Sequence, residues 1–393
     1  MKRCLAAVGF GLVLVWTVMS RPAYSHNPTT TTVLFNREIT TLLQRKCVQC
    51  HAAGKLAMPL ITFEQTRPWA EAIKEETLSR RMPPWPAERG FGAYSNDIGL
   101  TPREFEFLIS WIDGGVPEGT DPAPAFVEHS DHWTLGMPDL VASPATASAV
   151  EARSAPAFRH VTIDTGLARD AWIRAIDFKP DPQVTRAAFF SVAGTGQYLG
   201  GWTPWQSSTE LPADAAFKLP ARARIAVDVM YSGASQPVTD KPQLALYFAA
   251  APPPTSVITT TVRAMPDAKT AARFVAEFKA TDAQALVSMR SEVPAGTRSL
   301  EIKLMRPDGS REVLLWVKDA HQLWPTPYVF KKPVALPAGS ILQAVAYVDS
   351  GADPLASPAS PKPQSGEGGP KPQSGESGSG PQFTLTLNHY ATK

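Results

Sequence analysis

Hydrophobic positions along this chain follow two different periods. Before residue 119 they recur at helical spacing in two places; from residue 149 onward they alternate as in strands. Phe35, Ile39, Leu42 and Leu43 predict a short amphipathic helix running toward Cys47. Thr101-Pro102-Arg103-Glu104 reads as a helix start. Thr101 is the N-cap, Pro102 sits where a missing N–H does no harm, and Glu104 reaches back to complete a capping box. Phe105, Leu108, Ile109, Trp111 and Ile112 form the apolar face of this second helix, and Gly114-Gly115 stops it.

Strand patterns fill two later blocks. Residues 149–250 contain "RHVTIDTG", "AWIRAIDFKP", "RAAFFSVAG", "ARIAVDVMYSG" and "PQLALYFAA". Ala-Pro-Pro-Pro-Thr at 251–255 marks a boundary. Residues 256–352 contain "SVITTTVRAM", a hairpin about Pro307-Asp308-Gly309-Ser310, "PYVFKKPVAL" and "SILQAVAYVDS". With no long amphipathic helix between them, these blocks predict two antiparallel β-sandwiches. Residues 120–148 read as a Pro-, Ala- and Ser-rich linker. Residues 353–382 are low in complexity and carry a tandem nonapeptide, "PKPQSGEGG" then "PKPQSGESG", a composition that buries no core. Alternation resumes at Phe383, Leu385 and Leu387, so 383–393 is expected to return as a strand to the second sandwich.

The N-terminal 25 residues have the form of a secretory signal peptide. Lys2 and Arg3 precede an apolar run from Leu5 to Met19, and Ala23-Tyr24-Ser25 is a small-x-small cleavage site that would leave His26 first. The run falls short of the ~20 residues a membrane span needs, so the mature chain is expected to carry no transmembrane span. Export to the periplasm or cell envelope follows. A net charge of +2 over 393 residues argues against nucleic acid or an anionic membrane surface as partner.

Export also clarifies the cysteines. The chain has Cys4, Cys47 and Cys50, and cleavage removes Cys4. The remaining pair lies in Cys47-Val48-Gln49-Cys50-His51, the C-x-x-C-H pattern of c-type haem attachment. Two thiols at this spacing can each form a thioether to a haem vinyl group, and the adjacent imidazole supplies the proximal iron ligand. A zinc ribbon would need a second Cys or His pair, and none follows at suitable spacing. A thioredoxin-like pair would follow a strand, whereas the preceding pattern is helical. One covalent haem c is therefore expected, held by Cys47, Cys50 and His51, in an all-α, class I-like cytochrome c domain over residues 30–119. For the distal ligand, Met82 in Arg81-Met82-Pro83-Pro84-Trp85 is favoured, because two prolines suit a rigid ligand loop. Met58 lies seven residues after His51, a short reach to the opposite haem face; an open or His-ligated site is the remaining alternative.

The phrases "CVQCHAAGKLAMPL", "RMPPWPA" and "YSNDIGLTPREFEFLISWIDGGVPEG" resemble the cytochrome c domain fused ahead of copper type II, ascorbate-dependent monooxygenase-like domains in bacterial exported proteins. In that family the methionine of the MPPW phrase would be the distal ligand. "WTLGMPDLV", "YSGASQPVTDKPQLALYFA" and "RPDGSREVLLWVKDAHQLWPTPYVFKKPVALPAGSILQAVAYVDSGADP" resemble the paired β-sandwiches of the peptidylglycine α-hydroxylating monooxygenase-like family. That family binds two coppers through five histidines and one methionine. Here the first His pair falls at Arg186-Ala187, the His-Tyr-His-type motif at Met230-Tyr231-Ser232, and the His-Met-His phrase near Ser291-Glu292-Val293. Besides His51, the histidines are His26, His129, His132, His160, His321 and His389, and none pairs with another on a predicted strand. His129-Ser130-Asp131-His132 lies in the linker and reads as solvated chain. The resemblance with these departures implies that copper is unlikely. The expected function is one-electron transfer to an unidentified redox partner protein, with a monooxygenase-like β module for docking or scaffolding. A copper monooxygenase fed by the haem, and a haem-based redox or gas sensor, are the alternatives.

Overall fold

Strands dominate the architecture. The computed structural model describes residues 30–126, 132–267, 270–294, 296–318, 324–349 and 383–392. Of these, 43% lie in strands and 13% in helices. The signal-peptide segment, the tandem repeat, His26, His129 and His321 fall outside the described residues. Among the described residues, no helix is long and apolar enough to cross a membrane.

The helices are short. They are α1 (Thr40–Lys46), entered through a π-helical turn at Phe35–Ile39, α2 (Phe63–Thr66), α3 (Ala70–Leu78) and α4 (Pro102–Asp113). The capping box at α4 is formed: Thr101 Oγ1 accepts from Glu104 N at 3.1 Å, and Glu104 Oε2 accepts from Thr101 N at 2.8 Å. Leu108, Trp111 and Ile112 then meet Phe35, Ile39, Leu42 and Leu43 in a small core. The Trp111 indole N–H donates to the Pro117 carbonyl at 3.0 Å, so this core holds no orphaned donor from its largest side chain.

The expectation of an all-α, class I-like cytochrome c domain is overturned. Between α3 and α4 the chain is irregular, and it leaves the helices to join the β structure. Trp85, Ala87, Tyr94 and Ile98 belong to the core of the second β region, not to that of the helices. Four aromatic rings and a set of backbone bonds draw them there, as described below. Among the described residues the helices bury one small cluster, and the structure is mainly β with a helical attachment.

The first β region comprises β1 (Leu140–Ala142), β2 (Ser148–Val150), β3 (Ala157–Asp164), β4 (Ala171–Lys179), β5 (Thr185–Val192), β6 (Tyr198–Trp202), β7 (Ser208–Glu210), β8 (Ala215–Leu219), β9 (Arg224–Tyr231), β10 (Val238–Asp240), β11 (Gln243–Phe248) and β12 (Thr255–Ser256). One sheet runs β1-β11-β4-β8-β12, with β7 on β4; another runs β3-β9-β5-β6; β2 and β10 pair separately. Alternation decides which side chains face inward. Ile225, Val227 and Val229 of β9 share a core with Ile173, Phe178, Leu244 and Leu246 of the facing sheet. Asp228 and Met230, one position out of phase, face the other way, toward a cleft.

The second β region is one eight-stranded sheet. Its strands are β13 (Ile258–Asp267), β14 (Thr270–Lys279), β15 (Gln284–Glu292), β16 (Thr297–Met305), β17 (Arg311–Lys318), β18 (Tyr328–Leu336), β19 (Ile341–Val348) and β20 (Phe383–Ala391). They are ordered β17-β16-β19-β14-β13-β20-β15-β18. Both edges, β17 and β18, are met by the segment between α3 and α4. Ala87 bridges Val317 on β17, and Tyr94 bridges Phe330 on β18. Glu88 N donates to Trp316 O at 2.7 Å, Ser95 N to Val329 O at 2.8 Å, and Lys331 N to Ala93 O at 2.8 Å. Exposed strand edges are templates for unwanted pairing, and this segment occupies both. Gly92 permits the close pass: its φ is +69°, and a Cβ there would collide with the Leu314 carbonyl. β15 ties the two regions together, since Ala285 and Val287 enter the first core while Leu286 and Met289 enter the second.

Candidate functional site

The motif turn is built on the end of α1. Cys47 N and Val48 N both donate to Leu43 O, at 2.9 and 3.1 Å. Cys50 N and His51 N then both donate to Cys47 O, at 3.1 and 2.9 Å. The second thiol and the imidazole thus follow the first within one tight turn. Neither cysteine is in a disulfide, and both are partly buried. Burial pushes each thiol up to about 12, so neither is a thiolate at neutral pH.

His51 is oriented by the loop that follows. Its Nδ1 lies 3.0 Å from the Met58 carbonyl oxygen. A carbonyl accepts only, so Nδ1 carries the proton and Nε2 keeps its lone pair. Ala57 N to Cys50 O and Leu60 N to His51 O, both at 3.0 Å, hold this loop against the turn. Burial also lowers the imidazole pKa below its ordinary value, favouring the neutral ring.

Met82 is half-buried beyond α3, its N–H on the Glu76 carbonyl at 3.2 Å. It lines a cavity of about 610 Å³ with Trp85, Leu100, Phe105 and Lys318. Cys47, Cys50 and His51 do not line that cavity. The two places are linked through Gly99 and Leu100. Gly99 O accepts from Lys46 Nζ at 3.0 Å, and Leu100 packs in the core that Cys47 borders. Among the described residues, no group of three or more His, Cys, Asp or Glu side chains is placed to hold a metal ion. The expectation of a metal-binding site is corrected accordingly: the described residues form no such group, and His51 does not line the cavity that Met82 borders.

A second cleft, about 650 Å³, opens between the β regions. Met230, Ser291, Glu292 and Val293 line it, together with His160, Asp228, Arg290, Trp324 and Tyr328. Positions where the resemblance places two different copper motifs therefore border one space. Tyr231 does not; it turns inward, and its hydroxyl donates to Asp240 Oδ2 at 2.7 Å. His160 Nδ1 pairs with Asp228 Oδ1. The Arg290 guanidinium lies 3.7 Å from the Phe189 ring centre and bonds Glu292 at 2.7 Å. Ala187 is buried with Phe189, Tyr198 and Met230. Arg186 lies over the Trp324 ring at 4.9 Å, and its charge reaches Cys50.

Arg186, Trp205 and Trp324 were not signalled as site residues by the sequence. Arg186 stands where the resemblance places a histidine, and its position over Trp324 depends on pairing residues far apart in the chain.

No family model matches the chain, and no curated protein matches it. Similar solved structures are distant. The major capsid protein P2 of bacteriophage PM2 is 8% identical over 64% of this chain and 96% of its own, with a TM-score of 0.27. A Paenibacillus xanthan lyase is 9% identical over 70% of this chain and 28% of its own, TM-score 0.19. Allantoicase from Saccharomyces cerevisiae is 7% identical over 48% of this chain and 76% of its own, TM-score 0.15.

Proposed function

We propose that this chain is an exported electron carrier bearing one covalent haem c, with the β regions serving as a copper-free docking or scaffolding module for a redox partner protein. The observation that carries the reading is the His51 Nδ1 bond to the Met58 carbonyl, which presents a neutral imidazole with Nε2 available on the turn that holds two unpaired thiols. A carbonyl behind a ligating histidine fixes its tautomer and raises its basicity. When bound, the haem supplies an iron that gains and loses one electron. Cys47 and Cys50 hold it through thioethers, and His51 supplies the proximal nitrogen. Met58 is tied by its backbone carbonyl to His51 Nδ1, so Met82 rather than Met58 would supply the second protein ligand to the iron. A thioether there favours the reduced iron relative to a second imidazole.

The docking role rests on the residues at the resemblance's copper positions. Arg186, Ala187, Ser291 and Val293 offer no imidazole, and Glu292 is an oxygen donor already paired with Arg290.

Denaturing gels stained for haem should show a band, and the double substitution Cys47→Ala, Cys50→Ala should abolish it; a persisting band overturns the assignment. Met82→Ala should remove the near-infrared band of methionine-ligated ferric haem, whereas Met58→Ala should leave it. Copper retained after loading and desalting, with ascorbate-dependent oxygen uptake, would replace the carrier reading by a monooxygenase.

A further inference from the structure

Two parts of the molecule meet at one backbone carbonyl. Gly99, in the loop before α4, accepts from Lys46 Nζ at 3.0 Å and from Arg89 Nη2 at 2.9 Å. Lys46 ends α1, one residue before Cys47, whereas Arg89 belongs to the segment that joins the second sheet. The same glycine presses on the Trp85 indole. A Cβ at Gly99 would stand 3.1 Å from Trp85 Cδ1 and 3.0 Å from Asp97 Oδ1, closer than side chains ordinarily approach. Trp85 is held from its other side as well. It is buried, and its ring meets those of Tyr94 and Tyr328 edge-on at 5.8 and 5.7 Å. Trp85 N donates to Pro83 O at 2.8 Å, a tight turn that fixes the ring three positions from Met82. On the other flank of Met82, Arg81 forks onto the Glu76 carboxylate at 2.8 and 2.7 Å. Met82, Trp85, Gly99 and Leu100 line one cavity.

We infer that Trp85 is the positioning residue for the Met82 thioether, holding the Met82 loop, through Gly99, at a set distance from the Cys47–His51 turn. The inference rests on the proposed haem attachment and on Met82 as the distal ligand. The β region then does more than offer a docking face: Tyr94 and Tyr328 seat the ring, so the sheet sets how firmly the thioether is presented. A ligand already held in place forfeits little freedom when it binds, so a loosened loop weakens the bond although the sulfur is unchanged.

The test titrates full-length, haem-loaded ferric protein with imidazole, which competes for the position of Met82, and reads the near-infrared band. The larger the thioether-ligated fraction, the weaker the competitor binds, so a loosened loop reads as tighter imidazole binding. Trp85→Leu should diminish the band and raise the imidazole affinity about tenfold. Trp85→Phe keeps an aromatic edge against Tyr94 and Tyr328 and should restore most of the wild-type behaviour. Gly99→Ala pushes the ring without removing it and should shift the affinity in the same direction by less. Leu304→Ala is the stability control, fully buried in the same β core but away from the cavity. It should lower the unfolding midpoint and leave the imidazole affinity unchanged. If Trp85→Leu does not take up haem, Gly99→Ala decides. Unchanged affinity in the haem-loaded variants, or an equal shift in Leu304→Ala, overturns the inference and leaves the haem reading standing. A band that survives Met82→Ala overturns the inference together with the ligand assignment, and a wild-type protein without covalent haem overturns the haem reading too.

Discussion

Residues 33–60 and residues 82–98 flank the same helix, yet they belong to different cores. The first stretch packs with α4 around Trp111 and presents the motif turn. The second sends Trp85 and Tyr94 into the β sheet, against Tyr328 and Phe330. A segment that a motif places in one unit can therefore be structural for another. The motif turn is held by bonds spanning three to five positions, from Cys47 N and Val48 N to Leu43 O and from Cys50 N and His51 N to Cys47 O, whereas the docking half, residues 82–98, depends on partners more than 200 positions away.

The strongest way to break this contrast is to remove one anchor from each half. Tyr94→Ala deletes a buried ring and the bond from its hydroxyl to Leu314 O at 2.5 Å. It should cost about 3–5 kcal/mol, read as a lower midpoint for β-sheet unfolding in denaturant. Trp111→Ala should cost a similar ~3–5 kcal/mol to the helical cluster, read by helical circular dichroism, and leave the β transition in place. One shared transition in both variants would show that the two cores are a single cooperative unit.

Asn96→Ala sharpens the docking half. Asn96 is buried; its Nδ2 donates to Pro327 O at 2.7 Å and its Oδ1 accepts from Val329 N at 3.3 Å. Losing both should destabilise the β region by about 1–3 kcal/mol. Thr101→Ala, which removes the N-cap of α4, should cost ~1 kcal/mol and register only in the helical cluster.

The smallest effect is one of pH. His389 is buried on β20; its Nε2 meets Thr260 Oγ1 at 2.9 Å, and burial lowers its pKa from 6.5. The unfolded chain takes a proton near pH 6.5 that the folded ring resists. Acidification below that value therefore favours unfolding, and stability is regained as pH rises back through it. His389→Gln should flatten the acid side of the stability curve without removing it; an unchanged slope would show that His389 does not titrate in this range.

Much of the local structure is written in local residues. The capping box at Thr101 is one case. The hairpin at Pro307–Ser310 is another, closed by Arg306 N to Ser310 O at 2.9 Å and by Asp308 Oδ1 accepting from Ser310 N at 2.8 Å. Ile225, Val227 and Val229 alternate and are all buried. The docking of residues 85–98 leaves no such trace. Trp85, Ala87, Tyr94 and Ile98 have neither a helical nor a strand period, and their destination is set by rings on β18 and by backbone groups of β17 and β18. Arg186 is illegible for a related reason: it reads as a lost imidazole until Trp324 is seen beneath it.

β20 has a consequence for the order of events during synthesis. It lies between β13 and β15, pairing with both along most of its length. Neither neighbour can find its final partner until residues 383–391 have emerged. Until then two strand edges in the middle of a future sheet stand open, and pairing across such sequence separations is slow. Those edges are sticky while they wait. Cells making this protein should therefore be sensitive to anything that delays the last residues: a ribosomal pause after β19 is expected to raise the aggregated fraction more than an equal pause before β13.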